Sequence, residues 1–152
     1  MNAIDIAAAG IGLTLMTAII IGIFFISAFG FYKMNEKAGE AGWKALIPYY
    51  RSYIRFKYSW NTNPFWIFLV ATILFQNLSS IEGYVIVDLI AIALAIVAFV
   101  VGLKLDIRTA KSFGKSAIWG VLLYFLPFIV SYILGLGKAQ YIGNTTVAAA
   151  EE

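Results

Sequence analysis

Four long apolar runs take up most of this 152-residue chain and constrain its fold more than any other feature. They cover about residues 4–31, 64–79, 81–103 and 117–136. The hydrocarbon core of a bilayer is about 30 Å thick, and about 20 helical residues are needed to cross it. The runs therefore predict an all-α, polytopic membrane protein, with four transmembrane helices in a single membrane domain.

Composition points to the same class. Hydrophobic residues make up 62% of the chain and charged residues 12%, whereas about a quarter of a typical soluble domain is charged. The absence of Cys and His excludes disulfide scaffolds, thiolate metal sites and imidazole chemistry. Paired carboxylates or a serine activated by lysine remain as catalytic routes, and the spacing supports neither. We expect no enzymatic activity, no cofactor and no metal.

Prolines mark two of the runs. Asn63-Pro64 predicts a helix start, since asparagine can cap free amides and proline fits the first helical turn. A helix over 64–79 extends only about 24 Å, so a re-entrant segment is the alternative to a full crossing there. In the fourth run Pro127 predicts a bend, because proline removes one helical hydrogen bond.

The basic residues predict the topology. Ten of the eleven lie in two stretches, residues 33–57 and 104–115, and the remaining one is Lys138. Loops rich in Lys and Arg stay on the cytoplasmic side. Four crossings place both stretches on that side, whereas a re-entrant second run separates them. We therefore predict four crossings of the cell membrane, with both termini outside.

Residues 43–57 are amphipathic when projected on a helix. Aromatic and aliphatic side chains fall on one side, and basic side chains fall on the other. This pattern predicts a cytoplasmic-side helix in the headgroup plane, kinked by Pro48, whose basic face meets anionic lipid. A surface for partner docking or substrate entry is the alternative. The predicted contacts are Trp43, Lys44, Tyr50, Arg51, Tyr53 and Arg55.

A second basic stripe follows the third run. Its members recur at steps of four, three and four, so they share one side of the third helix if that helix continues past the membrane. We expect lipid phosphate groups rather than nucleic acid as the partners of this stripe. The stripe consists of Lys104, Arg108, Lys111 and Lys115.

The third run also carries a face of small residues, Ala91, Ala95, Ala98 and Gly102, which predicts helix packing. Asp88 lies on the same face. An ionised aspartate at the centre of a spanning helix opposes insertion by about 2.5–3.5 kcal/mol, so Asp88 is expected to point into the protein.

Three roles remain open for Asp88. It is a structural hydrogen-bonding group, it pairs with Lys138, or it belongs to an outward polar pocket that binds a proton or small cation. The other candidates for that pocket, at a similar predicted depth, are Thr14, Thr17, Thr72, Gln76, Ser131 and Tyr132.

Residues 41–50, Ala-Gly-Trp-Lys-Ala-Leu-Ile-Pro-Tyr-Tyr, resemble the Gly-Trp-x-x-Leu-Ile-Pro-x-Tyr signature of an uncharacterised family of small bacterial and archaeal membrane proteins. Residues 110–116 and 134–141 look like that family's second signature. The resemblance covers about residues 33–141 and implies membrane location. Members are loosely labelled signal-peptidase-like. This chain has no serine and lysine catalytic arrangement and no outer domain, so the resemblance does not extend to that activity.

Two functions are consistent with these observations. The first is a non-catalytic integral membrane subunit that assembles with itself or with a larger membrane complex, because four short helices enclose little interior. The alternative is a small oligomeric channel or transporter for protons or small cations, which uses the pocket near Asp88.

Overall fold

The structure, a computed structural model, describes residues 3–81 and 83–144, and all regular secondary structure in these ranges is helical. The predicted all-α class is thereby confirmed. The α-helices are α1 (Ala3–Lys37), α2 (Pro48–Ser59), α3 (Asn63–Leu78), α4 (Val85–Ser112), α5 (Ala117–Phe125) and α6 (Pro127–Leu136), and a 3-10 helix, Gly42–Leu46, precedes α2.

Two helical segments, Gly10–Lys37 of α1 and Val85–Ser112 of α4, are long and apolar enough to cross a membrane. The shorter α3 lies antiparallel along α4. Phe65, near the start of α3, packs with Leu105, and Ser79, just after its end, lines a cavity with Asp88. The second run therefore extends beside α4 instead of turning back. Its helix begins at Asn63, one residue before the predicted start, and the N-cap residue is Thr62 without a side-chain cap hydrogen bond, so the predicted cap by Asn63 does not form.

One end of the molecule, here named the basic end, brings together the end of α1, all of α2, the start of α3 and the end of α4. An ion pair between Arg55 and Asp106 joins α2 to α4 there. Together with the 3-10 helix and the segments that follow α4 and α6, these segments carry all eleven lysines and arginines of the chain. The opposite end, here named the far end, contains the start of α1 and the turn between α3 and α4.

The fourth apolar run folds as a hairpin and not as one bent helix. Helix α5 runs away from the basic end along α4, because Gly120 lies against Ile107 and the rings of Tyr124 and Phe99 are 5.3 Å apart between centroids. Helix α6 returns along α1 to Lys37, whose ammonium group reaches the carbonyls at the end of α6.

The prediction of a single helix over residues 117–136 is therefore wrong. Leu126, between the two helices, has φ −126° and ψ 56°, outside the helical region. Pro127 then occupies the first turn of α6, where it has no need of an N–H. The proline starts a new helix in the reverse direction instead of bending an existing one.

Pro48 acts in the same way. The predicted interfacial helix over 43–57 is two elements, because Pro48 begins α2 and the preceding Ile47 is extended. The residue before a proline is biased away from helical dihedral angles. The predicted kink is therefore a break between the 3-10 helix and α2.

Helix α4 begins later than the third run and continues past residue 103 to Ser112. The stripe residues up to Lys111 are thus helical, and Lys115 follows the helix end. Residue 82 lies outside the described part of the chain.

The described C-terminal segment packs at the basic end. The hydroxyl of Tyr141 donates to the carbonyl of Tyr58 at 2.6 Å, and the amide of Ile142 donates to the carbonyl of Ser112 at 2.8 Å. Helix α1 begins at the far end. The two ends of the described chain therefore lie at opposite ends of the molecule, while residues 1–2 and 145–152 lie outside the description.

Candidate functional site

A buried charged cluster at the basic end is the most distinctive polar feature of the structure. The guanidinium of Arg55 donates to the carboxylate of Asp106 and, at 3.3 Å, to the hydroxyl of Thr109. Both charged residues are only 7% exposed. The hydroxyl of Ser59 donates to the Arg55 carbonyl at 2.6 Å and lies 3.2 Å from the Thr109 hydroxyl.

Helical spacing explains why these residues meet. Arg55 and Ser59 are four apart on α2, and Asp106 and Thr109 are three apart on α4, so each pair shares one helix face. Along α4, two residues correspond to about 200° of rotation, which places Asp106 opposite Lys104. Because Lys104 is exposed, Asp106 faces inward, toward α2.

Aromatic contacts complete the cluster. The guanidinium carbons of Arg51 and Arg55 each lie 4.8 Å from the centroid of the Phe31 ring on α1, a cation–π geometry. Burial lowers the pKa of Arg51, the charge on Arg55 lowers it further, and Asp106 opposes that change. The cluster holds two guanidinium groups and one carboxylate, and it fastens α2 between α1 and α4.

The predicted basic face of α2 is not uniformly available to lipid. Arg55 is buried, so its assignment to a lipid-facing surface is wrong, because that side of α2 is covered by α4 and Phe31. Lys44 and Lys57 both donate to Glu40, each at 2.6 Å. Hydrogen bonds from Lys44 and then Lys57 lower the pKa of the Glu40 carboxyl group.

The predicted aromatic face forms a chain of ring contacts that ends on α3. Ring centroids are 6.1 Å apart for Trp43 and Tyr50, 6.0 Å for Tyr50 and Tyr53, and 5.2 Å for Tyr53 and Phe65. Trp43 is 53% exposed, whereas Tyr50 and Tyr53 are half-buried. Only the outer part of this face is therefore open to an external partner.

The second basic stripe lies along the outer side of α4. The Arg108 guanidinium lies 4.6 Å from the Trp60 ring centroid, and the Lys115 ammonium lies 5.5 Å from that of Trp119. Lys104 and Lys111 are exposed, whereas Arg108 and Lys115 are half-buried.

Lys37 was not among the predicted functional residues, yet it ties the ends of two helices together. Its ammonium group donates to the carbonyls of Leu134, Gly137 and Ala139 at 2.9, 2.7 and 2.8 Å. The last carbonyls of a helix lack intrahelical donors and carry partial negative charge. Lys37 thus caps α6 and anchors the hairpin to α1.

Asp88 lies at the far end and is exposed. It lines a cavity of about 580 Å³ between α3 and α4, where most of the other lining residues are apolar, including Phe75, Ala91 and Ala95. Lys138 lies at the basic end, so the structure does not adopt the predicted alternative pairing between Lys138 and Asp88.

The structure does not bring the other predicted pocket residues to this cavity. Three threonines donate to the carbonyl four residues earlier in their own helix. Ser131 is buried against Gly30 of α1, and Tyr132 lines a separate groove between α1 and α6. The threonines are Thr14, Thr17 and Thr72, and the remaining predicted residue, Gln76, is exposed.

The small residues of α4 lie toward its neighbours. A Cβ atom at Gly102 would lie 3.1 Å from the ring of Tyr124 and 3.5 Å from that of Phe68, so this position is in contact with both α5 and α3. Ala91 is buried, and Ala95 and Ala98 are half-buried.

The hydroxyl groups at and beside the cluster form local hydrogen bonds. The hydroxyls of Ser59, Thr109 and Ser112 donate to carbonyls of their own helices. Within the described ranges, no group of three or more Asp, Glu, Cys or His residues could hold a metal ion.

Comparison with known proteins yields one match. A family model described as "Family of unknown function (DUF5684)" matches residues 43–144, which is more than half of the chain. The match begins in the 3-10 helix and includes the buried cluster, the hairpin and the described C-terminal segment. No curated protein and no solved structure matches the chain.

Proposed function

Because this chain belongs to the DUF5684 family, whose function is unknown, we propose a role from its geometry: a non-catalytic integral membrane subunit. In this role the outer half of α1 packs against a further membrane helix, which comes from a second copy or from a larger complex. The observation that carries the proposal is the exposure of the apolar segment over residues 10–26.

Membrane placement is supported by the separation of apolar and charged side chains. Helices α1, α3 and α4 extend between the two ends, and their outer surfaces are rich in exposed aliphatic and aromatic residues. The lysines and arginines collect at the basic end. In the proposed orientation this end faces the cytoplasm.

The proposed topology has three crossings and one re-entrant hairpin. Helix α1 starts outside and ends inside, α3 goes out, and α4 returns. Helices α5 and α6, about 13 and 15 Å long, enter from the cytoplasmic side and return to it. Their backbone groups are satisfied within short helices packed on α4 and α1, a condition for re-entrant segments at membrane depth.

The outer half of α1 is uncovered. Every side chain from residue 10 to 26 is exposed apart from the half-exposed Gly22, and Leu13 and Met16 are each 68% exposed. A Cβ atom added at Gly10 or Gly22 would meet nothing within 4 Å. Within the described molecule, most of the surface of this segment is therefore uncovered.

One side of this segment is a ridge of small residues. They recur every fourth position and cover an arc of about 120° of the helix. Lipid tails are as apolar as leucine, so helices associate in bilayers mainly by close packing, which small residues permit. The ridge consists of Gly10, Thr14, Ala18 and Gly22.

The size of the solubilised particle tests the proposal. After extraction from its own membranes in mild detergent, the wild-type chain is expected in a particle larger than one protomer. Gly22→Leu should reduce that mass, because the bulky side chain separates the helices. Gly12→Leu is the matched control, since Gly12 is equally uncovered but lies off the ridge. A monomeric wild-type particle, or equal effects of both substitutions, would refute assembly through this ridge.

Cross-linking identifies the partner. The chain has no cysteine, so Ala18→Cys introduces a single thiol on the ridge and Ile20→Cys a single thiol on the opposite side. If the partner is a second copy, oxidation should convert the Ala18→Cys variant into a disulfide dimer much more efficiently than the Ile20→Cys variant. An equally low yield from both, with the large particle retained, assigns the ridge to a different subunit.

A further inference from the structure

A cavity at the basic end lies where the turn between α4 and α5 meets the end of α6. Its volume is about 410 Å³, within the range of small-molecule sites. Phe113, Ile133 and Ile142 contribute apolar walls. Lys115 and Lys138 line the same cavity, together with Gln140.

The two lysines give this cavity a positive charge that its lining does not neutralise. No carboxylate is among the lining residues, and neither Lys115 nor Lys138 forms an ion pair in the described part of the chain. The described acidic side chains at this end are already paired: Glu36 with Lys33, Glu40 with Lys44 and Lys57, and Asp106 with Arg55. The cavity is therefore suited to an anion.

An apolar groove adjoins the cavity. The groove has a volume of about 400 Å³ and lies between α1 and α6, lined by Ile26, Phe128, Ile129, Tyr132 and Ile133. Ile133 lines both spaces. The cationic cavity and the apolar groove therefore meet at the side chain of Ile133, and the groove extends from there along α6 toward the hairpin tip.

We propose that these two spaces bind one anionic phospholipid. Its phosphate lies between Lys115 and Lys138, and one acyl chain follows Ile133 and Ile129 into the groove. Basic pockets between helices on the cytoplasmic side are typical sites for anionic headgroups. This inference rests on the proposed membrane placement, with the basic end at the level of the headgroups.

Titration of the purified full chain in neutral detergent tests the site. The probes are dioctanoyl phosphatidylglycerol, dioctanoyl phosphatidylcholine and inorganic phosphate. Phosphatidylglycerol should bind with a stoichiometry of one and more tightly than either other probe, because it alone combines net negative charge with acyl chains. The double variant Lys115→Gln, Lys138→Gln should weaken its binding about thirtyfold, as two nearby lysines contribute about 1 kcal/mol each.

A matched control is the double variant Lys104→Gln, Lys111→Gln. It removes the same charge at the same end from two exposed positions outside the cavity, so the affinity for phosphatidylglycerol should remain within about threefold of wild type. If both double variants weaken phosphatidylglycerol binding equally, the effect comes from general surface charge, and the proposed site is refuted. If inorganic phosphate binds as tightly as phosphatidylglycerol, the assignment of the site to a lipid is refuted.

Membrane placement has its own readout. Wild type and both double variants should remain in the membrane pellet after alkaline carbonate extraction, since the substitutions leave α1, α3 and α4 unchanged. Release of the wild-type chain would refute the membrane placement itself. Retention of all three proteins, with no preference of wild type for phosphatidylglycerol, would refute the lipid site alone.

Discussion

At the scale of single residues, the ion pair between Arg55 and Asp106 joins two helices whose contact residues are far apart in sequence. Removal of two charges from water is costly, and a buried pair compensates for this only with good hydrogen bonding. Thr109 and the Phe31 ring add contacts to the guanidinium. Loss of the carboxylate would leave a buried cation without its counter-charge.

We therefore predict that Asp106→Asn lowers the free energy of unfolding by about 3–5 kcal/mol. Chemical unfolding in detergent measures this change. Glu36→Gln is the control. Glu36 forms an ion pair with Lys33, but the two side chains are 43% and 36% exposed, and ion pairs at the surface contribute little to stability. If the free energy of unfolding falls by a similar amount in the two variants, the buried ion pair does not contribute substantially to the packing of α2 against α4.

Glu40 provides a prediction about pH. Its hydrogen bonds with Lys44 and Lys57 hold the pKa of its carboxyl group below the usual value, so the carboxylate stabilises the fold above the unfolded-state pKa of about 4.3. That contribution is lost as pH falls through the lowered folded-state pKa. At pH 7 the Tm of wild type should exceed that of Glu40→Gln by about 2–4 °C, the shift for about 1 kcal/mol.

Thermal scans between pH 7 and pH 3 check this behaviour. The difference in Tm between wild type and Glu40→Gln should shrink as pH falls below about 4.3. Comparison of the two proteins cancels the titration of the other carboxyl groups. A difference that stays constant to pH 3 would contradict the assigned role of Glu40.

Helical periodicity predicts which residues share a face, but it does not show which face the rest of the chain covers. Arg51 and Arg55 share one face of α2, as their spacing predicts, whereas Lys44 lies in the separate 3-10 helix. Arg55 is nevertheless buried, because α4 supplies Asp106 beside it. Asp106 is recognisable from the sequence, because it is the acidic residue on the side of the helix opposite the second basic stripe. The cap formed by Lys37 depends on a contact about one hundred residues away, which local patterns do not show.

At the scale of helices, glycine allows the hairpin to pack closely on both sides. A Cβ atom at Gly120 would lie 2.2 Å from the Cα atom of Ile107, and one at Gly135 would lie 2.4 Å from the Gly30 carbonyl oxygen. Helices of 9 and 10 residues are too short to be stable alone. Their contacts with α4 and α1 therefore hold them in place.

Gly120→Ala should consequently destabilise the protein by about 1–3 kcal/mol, the usual cost of overpacking a close contact. Gly12→Ala is the matched control. A Cβ atom at Gly12 meets nothing within 4 Å, and alanine is the better helix former, so this variant should be neutral or slightly stabilised. Thermal unfolding of both variants in the same detergent measures the difference. Equal stability would show that α5 does not press on α4 at Gly120.

Helix starts were more predictable than helix arrangement. Asn63-Pro64 marks the first turn of α3, because the conformational effects of proline are local. The hairpin formed by α5 and α6 is not predictable from the sequence pattern, for a different reason. Residues 117–136 have the length and apolar content of a crossing whether the chain continues or reverses at Leu126, and only the contacts of α6 with α1 distinguish the two.

At the scale of the whole molecule, the proposed topology places residues 111 and 138 on one side of the membrane. Four crossings would place them on opposite sides. In the structure both flank the hairpin, which starts after α4 and ends before residue 138. Position 84 lies in the turn between α3 and α4 at the far end.

Labelling of single introduced thiols decides between these topologies. In intact cells, a membrane-impermeant reagent should label Tyr84→Cys, while Lys111→Cys and Lys138→Cys should react only after permeabilisation. All three positions are exposed, and the chain has no competing cysteine. Labelling of Lys138→Cys in intact cells would support a fourth crossing and contradict the re-entrant hairpin.

The contact between Lys37 and the carbonyls at the end of α6 has a consequence for biosynthesis. A ribosome completes α1 long before it reaches α6, so in the proposed topology α1 enters the bilayer without the neighbour that later accepts hydrogen bonds from its Lys37 ammonium group. In that topology only three segments have to cross the bilayer. In that topology the last two helices dock from the side on which they were synthesised, and premature termination upstream of Leu134 would leave the Lys37 ammonium group without these carbonyl partners.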